Sequence, residues 1–339
     1  MKIGILTSGG DCPGINATIR GVGKTAINHY GMEVVGILNG FSGILKHDTV
    51  ALDDRALSGI LNLGGTILGT AREKVFRKIL RSEDEQERQT IKDAYDALGL
   101  DGLVCIGGNG TQRTTWMLSE MGLNVVGVPK TIDNDVFGTE ITFGFDTAVG
   151  IATDAIDRLH STASSHRRVM VIELMGHRAG WITLHAGMAG GADIILLPEL
   201  GYNMKAIIDK IKSRTAAGKP YSIVAVAEGI EIHGGSEERP GTYFAREIEA
   251  QTGIESRETV LGYIQRGGSP SSADRNLGTL LGSHAAKLLH ERKFGRMAAV
   301  KNGKISDICL SEVAGKLKLV TPDTPLIQEG EQIGISFGI

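Results

Sequence analysis

Two short stretches of the chain carry residue types suited to phosphates and alcohols: Gly107-Gly108-Asn109-Gly110-Thr111, and Pro129-Lys130-Thr131-Ile132-Asp133-Asn134-Asp135. Each closes a β-branched apolar run. Glycines beside a small hydroxyl residue let backbone N–H groups approach polyphosphate oxygens. A threonine and two aspartates at the next strand end can position an alcohol and take its proton. Asp133, placed directly after a buried run, has the reach and the shelter from water that a general base needs. Asp135 adds an oxygen ligand for Mg²⁺ or its waters, the hard cation that phosphoryl transfer uses. The pair predicts phosphoryl transfer, with one loop for the donor and one for the acceptor. Nearby carboxylates also occur in surface turns, a reading that the apolar run in front of them disfavours.

A second glycine loop, Thr7-Ser8-Gly9-Gly10-Asp11, follows the run Lys2–Leu6 and precedes a helix predicted to start near Gly14. Gly-Gly pairs are ordinary turns, so one such loop decides little, but two at strand ends favour a phosphate site. Gly21-Val22-Gly23-Lys24-Thr25 resembles a P-loop, yet that motif needs glycine where Thr18 stands, and the segment falls inside the first predicted helix, where helix bonds consume its amides. A third cluster runs from Arg257-Glu258-Thr259-Val260-Leu261-Gly262-Tyr263-Ile264-Gln265-Arg266 to Asp274-Arg275 and is read as two arginines flanking an apolar strand. They are either surface cations or bidentate ligands of a sugar phosphate, and their apolar, glycine-rich company favours the second. Arg168, just before the run Val169–Leu174, is a further candidate clamp, for this subunit's site or a neighbour's.

The elements that must position these residues are β-branched runs at Lys2–Leu6, Glu33–Leu38, Gly102–Ile106, Asn124–Val128, Val169–Leu174, Asp193–Leu197 and Tyr221–Ala227. They read as buried parallel strands. Segments of helical period lie between them, among them Gln86–Leu98, Thr114–Met121, Thr147–Leu159 and Met204–Ala216, so the fold class is α/β, doubly wound. Ligands of such sheets bind at the strand C-terminal ends, where Met175-Gly176-His177 and Glu228 also fall. At 339 residues, two domains are expected. With 36 basic and 39 acidic residues and a net charge of −3, no nucleic-acid or membrane surface is expected. Three separated cysteines, Cys12, Cys105 and Cys309, lack metal-ligand spacing and suit a reducing cytoplasm. The first apolar run is too short for a signal peptide.

In combination these motifs resemble the bacterial-type 6-phosphofructokinase family. The likeness runs through Ile3–Asp11, Gly64-Gly65-Thr66, Thr131–Asp135, Met175-Gly176, Glu228 and the Arg257–Arg275 signature. It implies two similar doubly wound domains with mainly parallel sheets: 1–144 plus 265–310 for the nucleotide, and 145–264 plus 311–339 for the sugar phosphate. It further implies a cytoplasmic homotetramer with shared active sites, transferring the γ-phosphate of ATP to the 1-hydroxyl of fructose 6-phosphate in glycolysis, with Mg²⁺. By resemblance Gly10, Arg72, Gly108, Asn109, Gly110 and Thr111 bind the nucleotide, with position 109 facing Mg²⁺. Asp133 is the base, and Thr131, Asp135 and Lys130 assist it. Met175, Gly176, His177, Glu228 and Tyr263 face the sugar. Arg168 and Arg257 clamp the 6-phosphate across a subunit interface, with Arg266 beside them from the same chain.

The chain departs from the family pattern at several of these positions. Asn109 replaces the usual aspartate, a neutral ligand that weakens direct Mg²⁺ coordination and leaves contact through water. Lys130 stands where pyrophosphate-dependent members carry lysine, whereas Gly110 keeps the room for a nucleotide that an aspartate would obstruct. His177 replaces an arginine and Tyr263 a histidine, and Lys130 is a candidate to restore the charge lost at 177. The alternatives are a pyrophosphate-dependent enzyme and a weakly catalytic nucleotide or sugar-phosphate sensor. Among the family's effector positions Arg20, Lys24 and Lys219 stay basic, while Asp54, His160, Ala217 and Pro220 do not, so weak effector control is expected.

Overall fold

The computed structural model describes residues 1–71, 74–235 and 237–339. Its strands are β1 (Lys2–Ser8), β2 (Glu33–Ile37), β3 (Thr49–Ala51), β4 (Gly102–Gly107), β5 (Val125–Pro129), β6 (Val169–Leu174), β7 (Ile194–Leu196), β8 (Ser222–Ala227), β9 (Ser256–Val260), β10 (Arg296–Lys301) and β11 (Lys304–Cys309). Its helices are α1 (Ile15–Tyr30), α2 (Ser42–Lys46), α3 (Lys74–Leu80), α4 (Glu85–Ala97), α5 (Asn109–Glu120), α6 (Phe145–His166), α7 (Trp181–Ala189), α8 (Met204–Ala216), α9 (Pro240–Thr252), α10 (Ser272–His290), α11 (Leu310–Val313) and α12 (Pro325–Gln332). The chain divides into two compact units: unit 1 holds 1–132, 136–146 and 266–317, and unit 2 holds 133–135, 147–265 and 318–339.

Unit 1 is built on a sheet of order β11-β10-β5-β4-β1-β2-β3, parallel except at its outer strands β3 and β11. β4 and β5 are buried along their whole length, which is why they read as unbroken apolar runs. Helices α1 and α10 pack closely through glycines. A Cβ on Gly21 would lie 2.6 Å from the Thr279 carbonyl oxygen, and one on Gly282 would lie 2.5 Å from that of Thr18. In the P-loop look-alike Gly21 therefore serves the packing of α1 on α10, and Gly23 makes room for the Leu57 side chain. Leu310 and Val313 of α11 share a small core with Val136, Met297, Ala299 and Ile308, so residues 311–317 belong with unit 1.

Unit 2 is built on an all-parallel sheet of order β7-β8-β6-β9, with a core of Val169, Val171, Ile194, Val224, Val226, Ile207, Phe244 and Ile248. The segment read as an apolar strand between Arg257 and Arg266 is shorter than expected. β9 ends at Val260, and Gly262–Arg266 coils into a 3-10 turn. β9 is an edge strand with charged, exposed residues at 257 and 258, β10 has only the short apolar run Met297–Val300 between two charged ends, and β11 opens on exposed Lys304 and carries Asp307.

Candidate active site

In unit 1 the sheet order places the C-terminal ends of β5, β4 and β1 side by side, which gathers the loops starting at Lys130, Gly108 and Gly9. The Lys130 amide donates to the Gly107 carbonyl at 3.0 Å, and the Thr111 hydroxyl to the Ser8 carbonyl at 3.4 Å. Three successive carbonyls of the first loop are then taken up by side chains. Gly9 accepts from the Thr70 hydroxyl at 2.6 Å, Gly10 from Lys130 Nζ, and Asp11 from Arg266 Nη1 at 2.9 Å. In a trans peptide the N–H opposes the C=O, so tying these carbonyls down turns the next amides the other way. Arg266 comes close to Gly10, its Nη1 lying 3.0 Å from where a Cβ would stand.

The second glycine loop ends in a helix. α5 begins at Asn109, five residues earlier than its periodicity suggests, with Gly108 at the N-cap and no side chain capping it. Its first turn is therefore an N-terminus of the kind that receives anions. Two residues that sequence reasoning passed over complete this edge. Gln112 is fully buried and donates from Nε2 to the carbonyls of Gly107 at 2.7 Å and Val128 at 2.9 Å, stitching the ends of β4 and β5. Arg77 lays its guanidinium over the loop, with Nη2 3.0 Å from where a Cβ on Gly110 would be. A buried polar residue in a first helical turn was a usable signal for Gln112, but nothing in the α3 sequence singles out Arg77. Arg72 lies outside the described residues.

In unit 2 the ends of β6 and β8 are neighbours, and Glu228 joins them. Its Oε1 accepts from the amides of Gly176 at 3.2 Å and His177 at 2.9 Å, which fixes the turn after Met175. Gly176 has φ +151°, and a Cβ there would meet the Ala179 carbonyl at 2.4 Å, so only glycine fits. His177 itself adopts φ +53° and is exposed. Asp133, Asn134 and Asp135 also belong to this unit, Asp135 being 5% exposed, and Thr131 precedes them at the end of a unit 1 segment.

The arginines fall into two places. Arg168 precedes β6 and Arg257 lies at the start of β9, and both pair with Glu255, at 2.6 Å each, Arg257 also with Glu249 at 3.1 Å. β6 spans six residues, so this edge is about 20 Å along the strand from Met175 and Glu228. The chain therefore does not bring its own Arg168 and Arg257 to its own Met175 and Glu228. Arg266 is separate again, on the Asp11 loop of unit 1, while Tyr263 stands 76% exposed on the turn before it.

Cys12 and Cys105 are buried, which pushes both thiols up to about 12, far from reactivity. Among the described residues no group of three or more His, Cys, Asp or Glu is gathered as a metal site. Mg²⁺ carried on phosphates keeps waters and takes one or two carboxylates, and Asp133 and Asp135 are carboxylates two residues apart. No helix among the described residues is long and apolar enough to cross a membrane.

Comparison with known proteins agrees with this architecture. The family model for phosphofructokinase matches residues 2–289. A protein of Bacteroides thetaiotaomicron named ATP-dependent 6-phosphofructokinase 3 is 62% identical over 338 residues, covering 100% of both chains. One of Streptomyces coelicolor named pyrophosphate–fructose 6-phosphate 1-phosphotransferase is 45% identical, again over 100% of both. The solved phosphofructokinase of Saccharomyces cerevisiae superposes with a TM-score of 0.81 at 30% identity over 92% of this chain, which spans 45% of the yeast chain. Two parallel α/β units with glycine loops at their strand ends thus define the class, and the chain belongs to the phosphofructokinase family.

Proposed function

We propose that the chain transfers the γ-phosphate of ATP to the 1-hydroxyl of fructose 6-phosphate, giving fructose 1,6-bisphosphate and ADP, as a cytoplasmic step of glycolysis. The observation that carries this is the edge of unit 1, where Thr70, Lys130 and Arg266 bind the three successive carbonyls of Gly9, Gly10 and Asp11 beside the helix start at Asn109. Full-length identity of 62% to an ATP-dependent relative supports the same donor.

In this reading the triphosphate rests on the Gly10 loop and on Gly108, Asn109, Gly110 and Thr111 at the start of α5, with Arg77 on its outer side, and Arg72 is a nucleotide ligand by family resemblance alone. The 1-hydroxyl is held by Asp133, which takes its proton as the oxygen attacks in line. Thr131 and Lys130 hold the transferring phosphoryl group. Asp135, with Asn109 through water, would hold Mg²⁺ or its waters, and the ion would supply charge neutralisation for the transferring group. Met175, Gly176, His177 and Glu228 form the sugar-side turn, with Tyr263 nearby. Arg168 and Arg257, remote from that turn within one chain, clamp the 6-phosphate bound to a neighbouring copy, so the active enzyme is a homo-oligomer, a tetramer by family resemblance. Arg266 serves its own chain through the Asp11 loop.

A second donor is favoured by one observation: Lys130 is 3% exposed and places its ammonium in the phosphate loop, as a pyrophosphate enzyme would need. Gly110 argues against it by leaving room for a nucleotide. The purified protein assayed with fructose 6-phosphate and Mg²⁺, with ATP and with pyrophosphate in parallel, decides. Turnover with ATP is expected. Turnover with pyrophosphate alone reverses the donor, and turnover with neither supports a sensor.

A further inference from the structure

The stretch that carries Asp133 needs a fixed direction, and in unit 2 Lys318 contributes to it with its main chain and its side chain. Lys318 holds the stretch twice: its amide donates to the Asp135 carbonyl at 2.9 Å, and its Nζ to Asn134 Oδ1 at 2.8 Å. Asn134 has φ +52°, a left-handed backbone that asparagine tolerates better than most residues. Lys318 is held in turn by Trp181. Its Nζ lies 5.4 Å from the centre of the indole ring, and its carbonyl accepts the indole N–H at 2.9 Å. Trp181 opens α7 directly after the turn that begins at Met175, and Glu199 ties that entry down, accepting from the amides of Gly180 at 2.9 and 3.1 Å and of Val320 at 3.0 Å. The line Asn134–Lys318–Trp181 therefore joins the loop of the proposed base to the turn of the proposed sugar contacts.

We propose that Lys318 is a positioning residue for phosphoryl transfer: through Asn134 it sets the direction of Asp133, and through Trp181 it couples that direction to the sugar-side turn. This rests on the reading of Asp133 as the base. An ångström of misplacement at a reacting group can cost about a hundredfold in rate. Lys318→Met is therefore expected to lower kcat at least about tenfold while the KM for fructose 6-phosphate and for ATP stay within about twofold. Lys318→Arg, which keeps a donor and a cation over the indole, should recover most of the loss. Asn134→Gly keeps the backbone conformation and removes the acceptor, so it should match Lys318→Met, and the double variant should be no worse than either.

Amide hydrogen exchange of the peptide covering 130–137 in the ligand-free protein gives a readout independent of catalysis. Exchange should quicken in Lys318→Met and Asn134→Gly and stay near wild type in Lys318→Arg. Wild-type exchange and kcat in Lys318→Met would overturn the proposal, as would equal losses in Lys318→Arg or additive losses in the double variant. If Lys318→Met does not fold, Asn134→Gly and Lys318→Arg carry the same test. An inactive wild-type protein would refute the proposed reaction, and the exchange pattern would still judge the Lys318 link.

Discussion

The strand ends of the two units are held by opposite chemistry. In unit 1 donors bind carbonyls: Thr70, Lys130, Arg266 and Gln112 tie down Gly9, Gly10, Asp11 and Gly107. In unit 2 carboxylates bind amides. Glu228 takes those of Gly176 and His177, Glu199 those of Gly180 and Val320, and buried Glu173 that of Gly241 at the start of α9. On the reading proposed above, the first arrangement leaves the following amides for a phosphate. The second consumes amides at strand and helix ends that would otherwise receive a phosphate. On the proposed reading unit 2 reads the sugar phosphate with side chains, and the phosphate needs arginines, which this chain places at the far edge of the sheet.

The largest effect should come from neither set of strand-end contacts but from the proposed base. Asp133→Asn keeps the shape and removes the base, so kcat should fall about a thousandfold, within the range of general-base contributions, while calorimetry finds sugar binding intact. Retained turnover would remove Asp133 from the mechanism. Next, Lys130→Met frees the Gly10 carbonyl and removes the charge under the donor loop. Turnover should fall about tenfold and the KM for ATP should rise, with little change for the sugar, because a charge-assisted contact in a sheltered loop is at stake. A change confined to the sugar KM would break the division of labour between the units. A smaller effect is expected from Glu228→Gln, in which a neutral oxygen still accepts the two amides. The sugar KM should rise about fivefold, as a charge-assisted bond becomes an ordinary one, with the ATP KM unchanged.

Legibility followed the same contrast. The parallel strands β1, β4, β5, β6 and β8 were plain in the sequence because burial on both faces forces unbroken apolar runs, and the loops at their ends were plain because glycine and aspartate stand where a run stops. The edge strands β3, β9 and β11 carry polar residues that a solvated edge permits, so their periodicity is weak. α5 was expected to begin at Thr114 because its first turn, Asn109–Arg113, is polar and glycine-containing, a composition set by the phosphate edge. Arg77, Glu199 and Lys318 were not legible at all. Their significance lies in partners far along the chain, and single charged residues in polar segments look alike until the fold brings them to a backbone group.

The smallest expected effect concerns anionic effectors, and it too turns on whether polar groups are already engaged. In unit 1 Lys24 is paired with Asp54. In unit 2 Arg214 is paired with Asp193 at 2.7 Å, Asp193 also accepts the Ile223 amide at 3.0 Å, and His160 spans the Tyr221 hydroxyl at 3.1 Å and the Gly190 carbonyl at 2.7 Å. Burial pushes the Asp193 carboxyl above its ordinary range, with the Ile223 amide and the Arg214 charge opposing the shift. An incoming phosphate would have to compete with the internal partners of Lys24 and His160, which reduces its net gain although Arg20 and Lys219 stay basic. Allosteric coupling typically changes affinity at least about fivefold. Here millimolar ADP or phosphoenolpyruvate should change the half-saturating sugar concentration less than about twofold, over a hyperbolic curve. A sigmoidal sugar response relieved by ADP would show that these internal pairs open, and that unit 2 does present an anion site after all.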